Sequence, residues 1–126
     1  MIVHIHNSET TPTLDRDEFI QRRLEQALEM HAASIERVDI WIIGIVRGER
    51  GPANYCKVDV TLGNGNRVVS EATETDMYLA IDRAADRAGW AVSRCLGRQR
   101  RRAAAGALDS RASANSGTAA RLADAM

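Results

Sequence analysis

The chain has 126 residues, with 17 lysines and arginines against 17 aspartates and glutamates, and 44% of it is hydrophobic. That is enough for one domain with a core and too little for a second, and no apolar run reaches the length of a membrane span. The N-terminus Met-Ile-Val-His-Ile-His lacks the charged and apolar regions of a secretory signal, so a cytoplasmic protein is expected. Cys56 and Cys95 stand in no metal-ligand or redox spacing and read as free buried thiols.

A formal charge of zero argues against a polyanionic partner until the chain is divided. Residues 1–75 carry 8 basic and 12 acidic side chains, 76–102 carry 7 and 3, and 103–126 carry 2 and 2, which gives −4, +4 and 0. The positive field is local, and a bipolar molecule of this kind can turn one side toward a polyanion.

Ile2 to His6 alternates Ile2, His4 and His6 against Val3 and Ile5, the pattern of a short strand. His4 and His6 share a face, yet no third ligand stands near them in sequence, so no metal site is expected. A polar loop with Pro12 follows, and Thr13 or Asp15 caps a first helix, Asp15 and Glu18 standing at capping-box spacing. Phe19, Ile20, Leu24, Ala27, Leu28, His31 and Ile35 recur at helical intervals and give that helix one core stripe. Its carboxylates suit the helix dipole rather than catalysis. Arg22 and Arg23 add a small basic spot beside Glu25 and Glu29.

Val38 to Val46 is apolar at almost every position, which fits a central strand. Val38, Ile40, Ile42 and Val46 form one face. Trp41, Ile43 and Ile45 form the other, exposed if helices cover only one side of the sheet. Arg47 to Asn54 reads as a hairpin loop by composition, Tyr55 to Leu62 as a half-buried strand, and Arg67 to Thr73 as a fourth strand. Between the last two, Gly63-Asn64-Gly65-Asn66 supplies the positive φ of a two-residue hairpin turn.

Thr75 to Arg102 reads as one long helix with two faces, opened by Thr75 as N-cap and Asp76 at the positive dipole end. At about 100° per residue, Met77, Ile81, Ala84, Ala85, Ala88, Val92, Cys95 and Leu96 fall on one side, the core face. Arg83, Arg87, Trp90, Arg94, Arg98 and Arg101 fall on another, a cationic ridge. The helix ends either at Gly97, as a cap, or with Arg100, Arg101 and Arg102 at the negative dipole end. Gly89 in its interior marks a close approach or a weak point. Residues 103–126, rich in alanine and serine, read as a flexible tail after a domain of residues 1–102.

The order is strand, helix, three antiparallel strands, helix. An α+β sandwich, β-α-β-β-β-α, with two helices packed on one face of a four-stranded sheet, buries both stripes and is topologically like a double-stranded-RNA-binding domain.

Within that frame the run Tyr55-Cys-Lys-Val-Asp-Val-Thr-Leu62, the glycine-asparagine turn, and Ser70-Glu-Ala-Thr-Glu-Thr-Asp-Met-Tyr-Leu-Ala-Ile-Asp82 resemble the signature region of the ribosome hibernation-promoting factors, or ribosome-associated inhibitors. Glu71-Ala72, Asp76-Met77-Tyr78 and Ala80-Ile81-Asp82 carry it most strongly. The resemblance implies the same fold and regulation in stress or stationary phase. It also implies binding between the head and body of the small ribosomal subunit, on ground that messenger and transfer RNA need. In that family the basic side chains of the second helix touch ribosomal RNA, and the matching positions here are the ridge, with Arg22 and Arg23 beside it. Tyr78 and Asp82 are expected to fix the helix on the sheet. The chain reads as a short form, without the second domain that pairs two ribosomes in long members.

The ridge is chemically suited to that task. Arginine forks match phosphate oxygens, the chain has a single lysine, and Trp90 offers a surface on which an unpaired base can stack. The alternative function is a protein-interaction module, with Trp41, Ile43 and Ile45 serving a homodimer or a regulatory partner. No nucleophile stands with a base at usable spacing, and there is no phosphate loop. No catalytic residue, cofactor, small-molecule substrate or membrane partner is expected.

Overall fold

The computed structural model describes residues 1–8, 14–48 and 51–112. Among the described residues the strands and α-helices follow in the order β1 (Ile2–Ser8), α1 (Leu14–Leu28), β2 (Ile35–Gly48), β3 (Gly51–Leu62), β4 (Arg67–Glu74) and α2 (Met77–Ala112). The sheet order is β1-β2-β3-β4. β1 runs parallel to β2, so α1 is the crossover that such a pair requires, and the remaining pairs are antiparallel.

Contacts divide the chain into two units, Met1–Ser93 and Arg94–Met126. In the first, the strands alternate as their sequences predict. Val38, Ile40 and Ile42 of β2 and Cys56, Val58, Val60 and Leu62 of β3 are buried, as are Ile20, Leu24 and Leu28 of α1. From α2 come Ala80, Ile81, Ala84, Ala85, Ala88 and Val92. This α2 stripe is mostly alanine, and small side chains let the helix lie close to its neighbours. Ser70 Oγ, buried on β4, donates to the Ala84 carbonyl oxygen at 2.8 Å, a direct sheet-to-helix bond. Gly89 is the point of closest approach to α1: a Cβ there would stand 2.6 Å from the Ala27 carbonyl oxygen. Of the second unit, residues 94–112 are described and are helical throughout, with Cys95 buried and Leu96 half-buried.

Several boundaries differ from the sequence reading. The first helix stops at Leu28, and a 3-10 turn spans Glu29–Ser34. His31 therefore sits in that turn, with Nε2 2.9 Å from Ser93 Oγ, while Ile35 opens β2 opposite Leu62. Of the expected loop 47–54, residues 49 and 50 lie outside the described residues and the rest is strand: Arg47 pairs with Pro52, and Val46 and Ile45 of β2 pair with Ala53 and Asn54. Ladder bonds between the two strands override a composition that favours loop. Thr13, expected as a cap of α1, and Pro12 of the loop before it lie outside the described residues, and Asp15, the other expected cap, falls inside α1.

The β3-β4 connection is a three-residue turn rather than a two-residue one. Leu62 N–H donates to Asn66 O at 2.8 Å, Gly65 N–H donates to Leu62 O at 2.9 Å, and Gly65 has φ of 92°. A type I turn followed by a left-handed glycine needs that glycine one position later than a two-residue loop does.

The cap of α2 is Asp76 rather than Thr75. Its carboxylate accepts from the Tyr78 N–H at 2.8 Å, and the Thr75 carbonyl instead accepts from Asn54 Nδ2 at 2.9 Å. Neither Gly97 nor Arg102 ends the helix, because the alanines at 103–105 are strong helix formers and carry it on. The expected flexible tail thus begins as helix through Ala112, and residues 113–126 lie outside the described residues.

Candidate nucleic-acid interface

In the first unit one side of α2 is in the core and its other side faces solvent. In the first unit Arg83 and Arg87 are exposed and Trp90 is 75% exposed. A tryptophan in water is costly in apolar area, and among the described residues it has no ring or hydrogen-bond partner to cover it. In the second unit Arg94, Arg98 and Arg101 are exposed, as are Arg100 and Arg102, which fall off the strict wheel pattern.

The two sets of arginines differ in what they hold. Arg83 Nε donates to Glu74 Oε1 at 2.9 Å, and Arg87 Nη1 donates to the Glu71 carbonyl oxygen at 2.7 Å, so both lay α2 on β4. Arg94, Arg98, Arg100, Arg101 and Arg102 have no hydrogen-bond or ion-pair partner among the described residues. The Arg101 guanidinium rests near Gly97, 3.6 Å from where a Cβ would be. The helical wheel groups all six ridge residues alike. Only the placement of β4 separates those whose charge is already used.

Residues 1–100 match the family described as sigma 54 modulation protein / S30EA ribosomal protein. The chain belongs to that family. It is the family of the hibernation-promoting factors that the motifs around Glu71 and Asp76 resemble. Two solved structures share the fold. A ribosomal subunit interface protein from Coxiella burnetii is 14% identical, with a TM-score of 0.67 over 77% of this chain and 99% of that one. The Protein Y N-terminal domain from Thermus thermophilus is 21% identical, with a TM-score of 0.61 over 75% and 98%. No curated protein matches the chain.

In this family member the basic spot on α1 is split. Arg22 is exposed, whereas Arg23 turns inward and donates to the carboxylates of Asp82 and Asp86. Burial opposes its charge, and those two carboxylates more than restore it, raising its pKa. Tyr78 and Asp82 fix α2 to α1 rather than to the sheet: Asp82 accepts from Arg23, and the Tyr78 ring meets Phe19 edge-on at 4.9 Å. Sequence separation hides these pairs, since Arg23 and Asp82 are 59 residues apart.

On the outer face of the sheet, where Trp41, Ile43 and Ile45 were expected together, Trp41 and Ile43 are partly covered by neighbouring side chains. Trp41 is half-buried, stacked on His6 with ring centres 4.6 Å apart and with Lys57 Nζ 5.3 Å from its centre. Ile43 is half-buried too. Ile45 is placed by register opposite Asn54, past a register shift between Ile43 and Ile45. Polar pairs fill the rest: His6 Nε2 donates to Asp39 Oδ1 at 2.9 Å, Arg37 Nε to Asp39 Oδ2 at 2.9 Å, and Arg67 Nε to Asp59 Oδ1 at 3.2 Å. Among the described residues no group of three or more histidine, cysteine or acidic side chains is arranged to hold a metal. No described helix is long and apolar enough to cross a membrane.

Proposed function

We propose that this chain binds ribosomes as a hibernation factor and inhibits translation by occupying the messenger- and transfer-RNA channel of the small subunit. The basic face of α2 is the contact surface and ribosomal RNA the ligand. Membership of the S30EA family supports the ribosome as target, and one structural neighbour is a ribosomal subunit interface protein. The observation that carries the reading is the exposure of the basic α2 side chains, Arg83 and Arg87 with Trp90 in the first unit and Arg94, Arg98 and Arg101 in the second. Arginine in such a row binds phosphate in two-pronged fashion and releases counterions, so affinity falls steeply with salt. Occupation of the channel needs no bond made or broken, and the protein acts as a plug in the cytoplasm, where ribosomes work.

Co-sedimentation of the protein with small ribosomal subunits at low and near-physiological salt tests this, beside a variant with Arg87, Arg94 and Arg98 changed to alanine. Saturable binding that the triple change abolishes is the expected result. No binding by the intact protein at either salt overturns the reading.

A further inference from the structure

β4 closes one side of the sheet, paired to β3 along one edge and to no strand among the described residues along the other. In an antiparallel pair the backbone N–H and C=O of one residue point to the same side, and that side alternates along the strand. Leu62 N–H donates to Asn66 O, so the even-numbered residues of β4 bond to β3. The Glu71 carbonyl instead accepts from Arg87 on α2, which agrees: Arg67, Val69, Glu71 and Thr73 turn their backbone groups away from the sheet. Among the described residues those outward groups have no partner except the Glu71 carbonyl. A row of this kind is a template for another strand.

The side chains along that edge match themselves. Val69, 52% exposed, stands between Arg67 and Glu71 on the outer face. Turned about a two-fold axis through Val69, β4 meets a copy of itself antiparallel, Val69 against Val69 and Arg67 against the second copy's Glu71 in both directions. Both charged groups have atoms to spare. Arg67 gives Nε and Nη2 to Asp59 and keeps Nη1, while Glu71 takes the Tyr55 hydroxyl on Oε2 and keeps Oε1. An axis through Glu71 would set carboxylate against carboxylate, and one through Ser70 would leave Val69 opposite Glu71, so the charges select the register centred on Val69.

One contact stands in the way. That register needs the Glu71 carbonyl as acceptor for the Arg67 N–H of the second copy, and Arg87 Nη1 already holds it at 2.7 Å. Pairing would also bring the two copies of Arg87 to one joint, where like charges repel. Covering an edge with a charged side chain is a means of keeping it from pairing.

We propose that the β4 edge is a docking surface for a second copy of this chain, centred on Val69, and that Arg87 guards it by occupying the Glu71 carbonyl. The inference stands apart from the ribosome reading and needs neither RNA nor subunits.

Sedimentation equilibrium of the full-length chain over a concentration series tests it, with thermal unfolding to report the fold. Wild type is compared with Arg87→Ala and with Arg87→Met, which keeps the aliphatic stem and removes the donor. Both variants should dimerise at concentrations where wild type is monomeric, a gain of about tenfold or more in affinity, the worth of one charge-assisted hydrogen bond. Adding Val69→Lys to either should return it to monomer, because two lysines then face each other. Val69→Cys in the Arg87→Met background should oxidise to a reducible dimer, and Gln21→Cys on the exposed side of α1 should not. Arg87 variants that stay monomeric over the whole series overturn the surface. A wild type that dimerises as tightly as they do overturns the guard. Dimers that survive Val69→Lys, or species larger than a dimer, place the joint elsewhere and overturn the proposal as well.

Discussion

Gly89 on α2 approaches Ala27 on α1 so closely that a side-chain carbon would stand 2.6 Å from the Ala27 carbonyl oxygen, a distance real carbons do not keep. In an isolated helix, Gly89→Ala would gain about 1 kcal/mol. Here the two helices must separate, at a cost of about 1–3 kcal/mol that outweighs that gain. The variant should melt below wild type. Gly97→Ala is the control: its Cβ would meet only the flexible Arg101 guanidinium at 3.6 Å, so it should be neutral or stabilising. Urea denaturation of both decides the matter, and a stabilised Gly89→Ala would refute the close approach.

Arg23 joins the same two helices through charge. Its side chain is 18% exposed, and its partners Asp82 and Asp86 are 43% and 60% exposed. Solvent weakens such pairs, so Arg23→Gln should cost about 1 kcal/mol rather than the several of a fully buried ion pair. A double-mutant cycle with Asp86→Asn should return a coupling of about 0.5 kcal/mol or more. Strict additivity would show that the pair contributes nothing.

Asp39 lies nearly buried on the outer face of the sheet. Burial would raise its pKa, but hydrogen bonds from Arg37 and His6, together with their charges, hold it below the usual carboxylate value. A carboxyl depressed in the folded state contributes its full stability above the unfolded value of about 3.9, and that contribution fades as pH falls through the folded value. Asp39→Asn should therefore be less stable than wild type at pH 6, with the gap narrowing below about pH 4. Urea midpoints from pH 2 to 6 measure this. A gap independent of pH would rule out the electrostatic account.

On β3, neighbouring residues hold two groups in their neutral forms. Burial, then the hydrogen bond to Glu71 and its charge, push the Tyr55 phenol up to about 12, and burial pushes the Cys56 thiol to about 12. Absorbance titration should show a tyrosine that ionises near pH 12, and Glu71→Gln should lower that value by removing a negative charge. At pH 8 a thiol reagent should leave Cys56 unmodified in the folded protein and modify it in urea, as read by mass spectrometry. Rapid labelling of Cys56 without denaturant would contradict its burial.

The order of elements, the two faces of α2 and the motif run from Tyr55 to Asp82 were legible in the sequence because each depends on local periodicity or on adjacent residues. Ile81, Ala84, Ala85, Ala88 and Val92 are one stripe on any helix, and burial followed the stripe. Boundaries were less legible. Residues 47–48 and 51–54 became strand because β2 and β3 bond to each other, and α2 outran Arg102 because alanine propensity outweighed an expected stop.

What the chain decided alone was where positive charge and apolar surface would lie along each element. What only the tertiary structure decided was which charges remain available. Arg83, Arg87 and Arg94 are equivalent by spacing, yet Glu74 and the Glu71 carbonyl take the first two and nothing takes the third among the described residues. A periodic pattern fixes the direction of a side chain, whereas its partners come from strands and helices distant in sequence. The pairing of Arg23 with Asp82 and the contact of Gly89 with Ala27 exist only once α1 and α2 meet.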